Sequence, residues 1–425
     1  MIGTLREDWR ATLAVVSGGH FLSHFYFLVL PPLFPLLRDD FGLNNTELGL
    51  VVSVLSLGGL LQAPVGNVVD RVGARRIFVA GVGVTSAGIA LVGIGPTYPA
   101  ILALAAVSGL GQSAFHPADY AMIDAITEPD VRGRAFSVHT FSGFAGFAAA
   151  PVVVGTLALL VGWRATLLVV GGVGLLYTLF AALALAPTSR ATVGADGVPR
   201  EDGVTGADGT GDGGPNTDAS RSFVATLRRP GILAMVAFFL VMALAGKGVQ
   251  TFTSVLAVNS FGLEESVGNT LLTVYFALGS IGILVGGVLA DRYAPGRIIV
   301  VGLVVGASAL LFTLAGVVPV APLPLVLLFG LVGFFVSLVT PSRDRLVSEV
   351  SGAGSTGRSF GIVFTGATVG SLVGPVLLGA VGDAASITLS FVLVGLFFLI
   401  AGVLAFSLGR GWLAPGTGPT PAEGD

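Results

Sequence analysis

No cysteine occurs in the 425 residues, which rules out disulfides and thiolate metal ligands. Lysine is almost absent too: Lys247 is the one lysine among 21 basic residues. Charged residues of both signs make up only 11% of the chain, where a soluble domain carries about a quarter. A chain this poor in charge cannot cover a water-exposed surface, so a soluble globular protein is excluded. The Gly-x-Ser-x-Gly and His-Glu-x-x-His signatures are missing, and the Gly-rich segments lack a phosphate-cradling pattern. No enzyme activity, cofactor or nucleic-acid partner is therefore expected.

What fills the chain is apolar: 53% of residues are hydrophobic, and mean hydropathy is +0.91. About 20 apolar residues in a helix cross the ~30 Å hydrocarbon core of a bilayer. Such runs fall at roughly 11–37, 46–69, 77–95, 99–127, 133–161, 163–186, 230–258, 266–290, 297–317, 322–349, 357–383 and 386–409. These twelve runs predict an all-α membrane protein. The N-terminal residues carry mixed charge, the first run is longer than a signal h-region, and no small-x-small site closes it. The first helix is expected to be retained.

The chain also repeats. Gly66-x-x-x-Asp70-Arg71-x-Gly73-x-Arg75-Arg76 follows the second run, and Gly287-x-x-x-Asp291-Arg292, with Arg297 behind it, follows the eighth at an offset of 221. At an offset of 224, His116-Pro117 answers to Thr340-Pro341 and Gly133-Arg134-x-Phe136 to Gly357-Arg358-x-Phe360. Two copies of a six-helix unit entering the membrane in the same direction are a transporter layout.

Orientation follows from the arginines. With the N-terminus in the cytoplasm, 18 of them fall in inner segments and only Arg38 and Arg164 in outer loops. The positive-inside rule then places both termini in the cytoplasm and the protein, multi-pass, in the cell membrane. Residues 187–229 are rich in Gly and Asp and poor in large apolar residues, the composition of a flexible linker. The expected division is a six-helix bundle at 1–186, a linker at 187–229 and a second bundle with a short tail at 230–425.

The loop motif between spans two and three, its eroded copy between spans eight and nine, and the six-plus-six layout resemble the major facilitator superfamily over essentially the whole chain. Phe115-His116-Pro117, Gly133-x-Ala135-x-Ser137, Gly143-x-x-Gly146 and Pro151 resemble its fosmidomycin-resistance-type exporters. One departure stands out: where that subfamily has an acid four residues after a first-span histidine, this chain has His24 after His20. The resemblance implies a pseudo-symmetric major facilitator fold and a secondary transporter working by alternating access. The expected substrate is a small organic, anionic compound that is exported, with protons as coupling ion and a monomeric state. An importer or facilitator on the same fold, and a membrane sensor that does not transport, are the alternatives.

The resemblance also directs attention to particular residues. Spans one, four, seven and ten face the central cavity in this family, so His20, His24, His116, Asp119, Lys247, Arg343 and Asp344 are expected to converge there, with Asp119, Arg343 and Asp344 either at mid-membrane or at the cytoplasmic mouth. Gln250, Thr251 and Ser254 follow Lys247 at i+3, i+4 and i+7, extending one polar stripe. Otherwise Lys247 is a snorkelling or internally paired lysine. His139 reads as a core histidine. His20 and His24 at i,i+4 suit metal binding, but no zinc-protease glutamate follows, and no metal site is predicted. Asp70, with Gly66, Gly73, Arg71, Arg75 and Arg76, is expected to gate by capping the start of span eleven near Gly357; Gly287, Asp291, Arg292 and Arg297 form the weaker copy. The bland reading is that these arginines only fix topology. Gly146, Pro151 and Gly155 in span five, and Gly366, Gly370, Gly374, Pro375 and Gly379 in span eleven, are expected to pack helices closely. They resemble the glycine-proline motif of antiporters, incomplete in span five and fuller in span eleven.

Overall fold

The computed structural model describes residues 9–185, 229–351 and 356–410. All but the last residue of the expected linker, and part of the segment before span eleven, lie outside those residues. Among the described residues eleven apolar helical stretches are long enough to cross a membrane: Trp9–Phe41, Asn45–Val72, Ala74–Val92, Tyr98–Ile126, Asp130–Ala184, Pro230–Asn259, Glu265–Arg292, Pro295–Leu314, Pro322–Val350, Ser359–Ala384 and Ile387–Gly409. A straight helix as long as the fifth would extend about 80 Å, far more than a bilayer. Gly162 breaks it, at φ 79° and ψ 159°, a backbone region that only glycine enters freely. Trp163 Nε1 donates to Asp40 at 2.7 Å and Arg164 Nη1 to the Gly95 carbonyl at 2.9 Å, tying down this turn. The stretch is therefore spans five and six, and the total is the twelve expected from the apolar runs.

Helix ends follow local sequence. Asn44 and Glu47 form a reciprocal capping box at the start of span two, with both bonds at 2.9 Å. Pro129, Pro230, Pro295 and Pro322 each open a helix, where the missing N–H costs nothing. The repeated X-Pro pairs mark paired breaks. Span four splits between Gln112 and Phe115, just before His116-Pro117, and span ten splits at Val339, just before Thr340-Pro341.

Two ends can be told apart by their arginines. At the arginine-poor end the halves are in contact. Asp383, closing span eleven, accepts hydrogen bonds from the backbone N–H of Asn45 and Thr46, both 2.8 Å, and from the Thr46 hydroxyl, 2.6 Å, at the start of span two. Ser53 donates to the Leu372 carbonyl at 2.6 Å, Phe147 stacks on Phe276 with centroids 4.9 Å apart, and Phe34 meets Phe252. A Cβ on Gly49 would strike the Pro375 backbone, one on Gly379 the Asn45 backbone, and one on Gly155 the Asn269 side chain. One apolar core runs from this end of the first half into the second, through Phe34, Leu55, Phe252 and Phe276. A separate core at the arginine-rich end, with Val16, Phe78, Phe115 and Ile123, stays within the first half. Among the described residues every hydrogen bond and ring contact joining the halves lies at mid-span or toward the arginine-poor end, so the cleft between them opens toward the arginines.

Several glycines of spans five and eleven lie against neighbouring helices. Gly366 and Gly370 lie against the Val236 and Leu240 carbonyls of span seven, a Cβ on Gly374 would come within 3.2 Å of the Leu244 backbone, and Gly146 rests on the Phe21 carbonyl of span one. At Gly66 and Gly287 a Cβ would meet no described atom within 4 Å. The start of span eleven near Gly357, the expected neighbour of the loop motif, falls where side chains are not described.

Candidate functional site

Span one presents His20 and His24 one turn apart, with rings 4.3 Å from centroid to centroid. The break in span four, where Ser113 and Ala114 bond back three residues at 3.2 Å each, starts a new helical segment that carries His116 and Asp119. At i,i+3 these two share a face. Span five supplies His139. A Cβ on Gly143 would collide with the rings of His20 and His24, so glycine there lets span five close onto span one.

Asp119 is fully buried at the centre of this arrangement. Its Oδ2 lies 3.1 Å from His20 Nδ1, 3.0 Å from His139 Nε2 and 4.0 Å from His116 Nδ1. His20 Nδ1 and His139 Nε2 also contact each other. Asp119 Oδ1, His116 Nδ1, His24 Nδ1 and His139 Nδ1 are buried without a hydrogen-bond partner among the described residues. His20 and His139 are buried, while the His116 side chain is 36% exposed and opens the cluster to the cleft. His20 stands about 17 Å along its helix from Trp9, which sets Asp119 at mid-membrane rather than at the mouth.

Three of the four histidines of the chain thus meet at one carboxylate, and the fourth, His24, packs against the ring of His20. His139, read from sequence as a core residue, belongs to this cluster. No periodicity could reveal it, because its partners lie on two other helices.

Lys247 occupies the facing wall. It is half-buried, its ammonium is 4.9 Å from the Phe27 ring centroid, and it lies within electrostatic range of His24. No acid pairs with it among the described residues. Gln250 Oε1 and Thr251 Oγ1, next along its stripe, are buried and unpartnered, as is Thr273 Oγ1 on span eight. Ser254 instead donates to Asn269 Oδ1 at 2.8 Å.

Arg343 and Asp344 do not join the cluster. They bond each other at 2.9 Å, and the guanidinium lies 4.7 Å from the ring centroid of Phe239. Phe239 sits eight residues, about 12 Å, nearer the arginine-rich end than Lys247. The pair therefore lines the mouth.

In the loop motif, Gly73 ends span two with φ 99°. Arg75 Nε donates at 3.0 Å to the Leu185 carbonyl, neutralising the exposed carbonyls that end span six. Asp70 is exposed and pairs with no described group. Its expected partner near Gly357 falls where side chains are not described. Asp291, Arg292 and Arg297 are exposed as well.

A two-bundle membrane protein with a polar cleft at mid-depth, closed at one end, is the architecture of a transporter rather than of an enzyme. The family model described as Major Facilitator Superfamily matches residues 16–268 and 236–423, and the chain belongs to that superfamily. A chloramphenicol resistance protein of Streptomyces lividans is 28% identical over 381 residues, covering 88% of this chain and 91% of that protein. The fosmidomycin resistance protein of Escherichia coli (strain K12) is 26% identical over 141 residues, covering 33% of this chain and 34% of that one. Among solved structures, a bacterial homolog of the human lysosomal transporter Spinster, in an inward-facing and occupied conformation, superposes with a TM-score of 0.76 at 15% identity, covering 94% of this chain and 96% of that one. The protein is a multi-pass membrane transporter of this superfamily, a family that binds small-molecule substrates within the membrane.

Proposed function

We propose that the protein is a secondary active exporter of a small organic anion, working by alternating access in the cell membrane as a monomer. Residues 1–186 and 230–425 are the two moving bodies, and 187–229 is their tether. The arginine-rich end faces the cytoplasm by the positive-inside rule, so the cleft here is open inward. Substrate enters past Arg343 and Asp344 and meets Lys247, Gln250 and the histidine cluster. Protons are the coupling ion, since imidazoles alone among these groups ordinarily titrate between pH 5 and 8. Asp70 and its loop motif gate the cytoplasmic end, and Asp291 does so more weakly. Export is supported by the resistance proteins among the relatives.

The observation that carries the anionic substrate is Lys247. An ammonium at mid-span costs about 2.5–3.5 kcal/mol to insert, and a protein retains that cost where the charge is used. This one has no carboxylate partner among the described residues and borders unpartnered polar atoms. The test is competition by anionic and neutral ligands for transport in proteoliposomes. Lys247→Gln is expected to weaken anions by tenfold or more and neutral compounds little. Equal loss for both, or none for either, refutes the anionic substrate.

A further inference from the structure

We infer that His20, His116 and Asp119 form a binding site for a divalent transition-metal cation of the zinc class, with His139 against its carboxylate. The three side chains offer a ring nitrogen of His20, a ring nitrogen of His116 and an Asp119 oxygen, all within 4.8 Å of one another. Tetrahedral zinc with bonds of about 2.0–2.2 Å sets its donor atoms roughly 3.3–3.5 Å apart. The distances from Asp119 Oδ2 to the two nitrogens, 3.1 and 4.0 Å, bracket that spacing.

The site is also unsatisfied as it stands. Asp119 is fully buried, and its Oδ1 has no hydrogen-bond partner among the described residues; His116 Nδ1, buried beside it, has none either. A carboxylate stripped of water and left with an orphaned oxygen is costly unless a cation meets it. The His20 and His139 nitrogens converge on the same oxygen and on each other. With its proton on Nε2, neutral His20 offers its Nδ1 lone pair to a cation, while His139 Nε2–H donates to the carboxylate.

Donor chemistry selects the ion. Imidazole with one carboxylate suits zinc, cobalt, nickel or ferrous iron, not magnesium or calcium, which take all-oxygen shells. Three protein donors leave a coordination position open, the pattern of an exchanging site rather than a structural one. The partly exposed His116 gives the ion a route from the cleft.

The test uses full-length protein in detergent, purified by a tag without histidine and stripped with chelator. Co²⁺ is titrated by its visible absorption and Zn²⁺ by calorimetry. One ion per chain is expected, with a tetrahedral Co²⁺ spectrum, and with affinity at least tenfold lower in Asp119→Asn and in His116→Gln. The second variant is partly exposed and guards against a folding failure in the first; metal-free melting curves of both are compared with wild type. Absence of saturable one-to-one binding, or binding unchanged in both variants, overturns the site. The anion-competition assay stands apart: exchange of an organic anion without Co²⁺ binding removes only the metal site, and Co²⁺ binding without anion transport removes only the exporter.

Discussion

Replacing Asp383 by alanine strips three hydrogen bonds from the arginine-poor end at once, two from the Asn45 and Thr46 amides and one from the Thr46 hydroxyl. Span two keeps its own cap, because Asn44 and Glu47 are untouched. The loss therefore falls on the contact between halves and not on the helix. Removing a capping side chain costs about 0.5–2 kcal/mol, and bonds to a charged group contribute ~1.5–3 kcal/mol where water is excluded. Asp383 is exposed, so water replaces part of the interaction and about 1–2 kcal/mol is the working figure. That amounts to roughly a 5–30-fold shift toward the form open at the arginine-poor end. The chain has no cysteine, so Gln250→Cys puts a single thiol in the cleft. With a membrane-impermeant maleimide applied from the arginine-poor side, the alkylation rate is proportional to the open fraction, however small. Asp383→Ala is expected to speed it by the factor above, and Asp383→Asn, which keeps an acceptor oxygen, by less. Rates within twofold of the parent for both variants refute a closing role for this carboxylate.

Asp70→Asn is expected to cut transport by tenfold or more with membrane insertion unchanged, and Asp291→Asn to cut it less; transport per inserted protein, read by immunoblot, checks the order. Gly379→Val, whose side chain would strike the Asn45 backbone, is expected to open the arginine-poor end as Asp383→Ala does, at about 1–3 kcal/mol of overpacking, read by the same alkylation rate. Because a proton and a metal ion compete for the same imidazole nitrogen, Co²⁺ affinity is expected to fall as pH is lowered from 8 toward 5 and to recover on return; a flat profile would mean that no imidazole binds the ion.

The sequence carried the architecture further than the site. Apolar runs located every span because helix length in a bilayer is fixed by hydrocarbon thickness, and the loop repeat identified the duplication. Four-residue spacing put Gly366 and Gly370 on one stripe of span eleven, but their partner, span seven, came only from the structure. Three things were not legible. His139 looked isolated because its rotation toward Asp119 depends on how span five packs, which Gly143 decides by what it lacks. Asp383 carried no motif that set it apart, although its carboxylate reaches the opposite half. Arg343 and Asp344 shared the sequence signal of the pathway residues, but pairing between neighbours satisfied them at the mouth.

The one-sided closure has an electrical consequence. A water-filled cleft open at one face is continuous with the solution there, so a membrane potential drops mainly across the sealed part, the layer between Lys247 and the contacts of Asp383 and Phe34. An ion reaching Asp119 from the open side crosses little of that field. In the alternating-access cycle proposed above, reversal of the halves moves the field to the other seal, and the same ion passes through nearly all of it without travelling along the membrane normal. Each net charge carried through that cycle couples to about 2.3 kcal/mol per 100 mV. On that cycle voltage acts through the reversal of the seals, so the step that it speeds or slows is the rocking of the bundles and not the binding of the ligand.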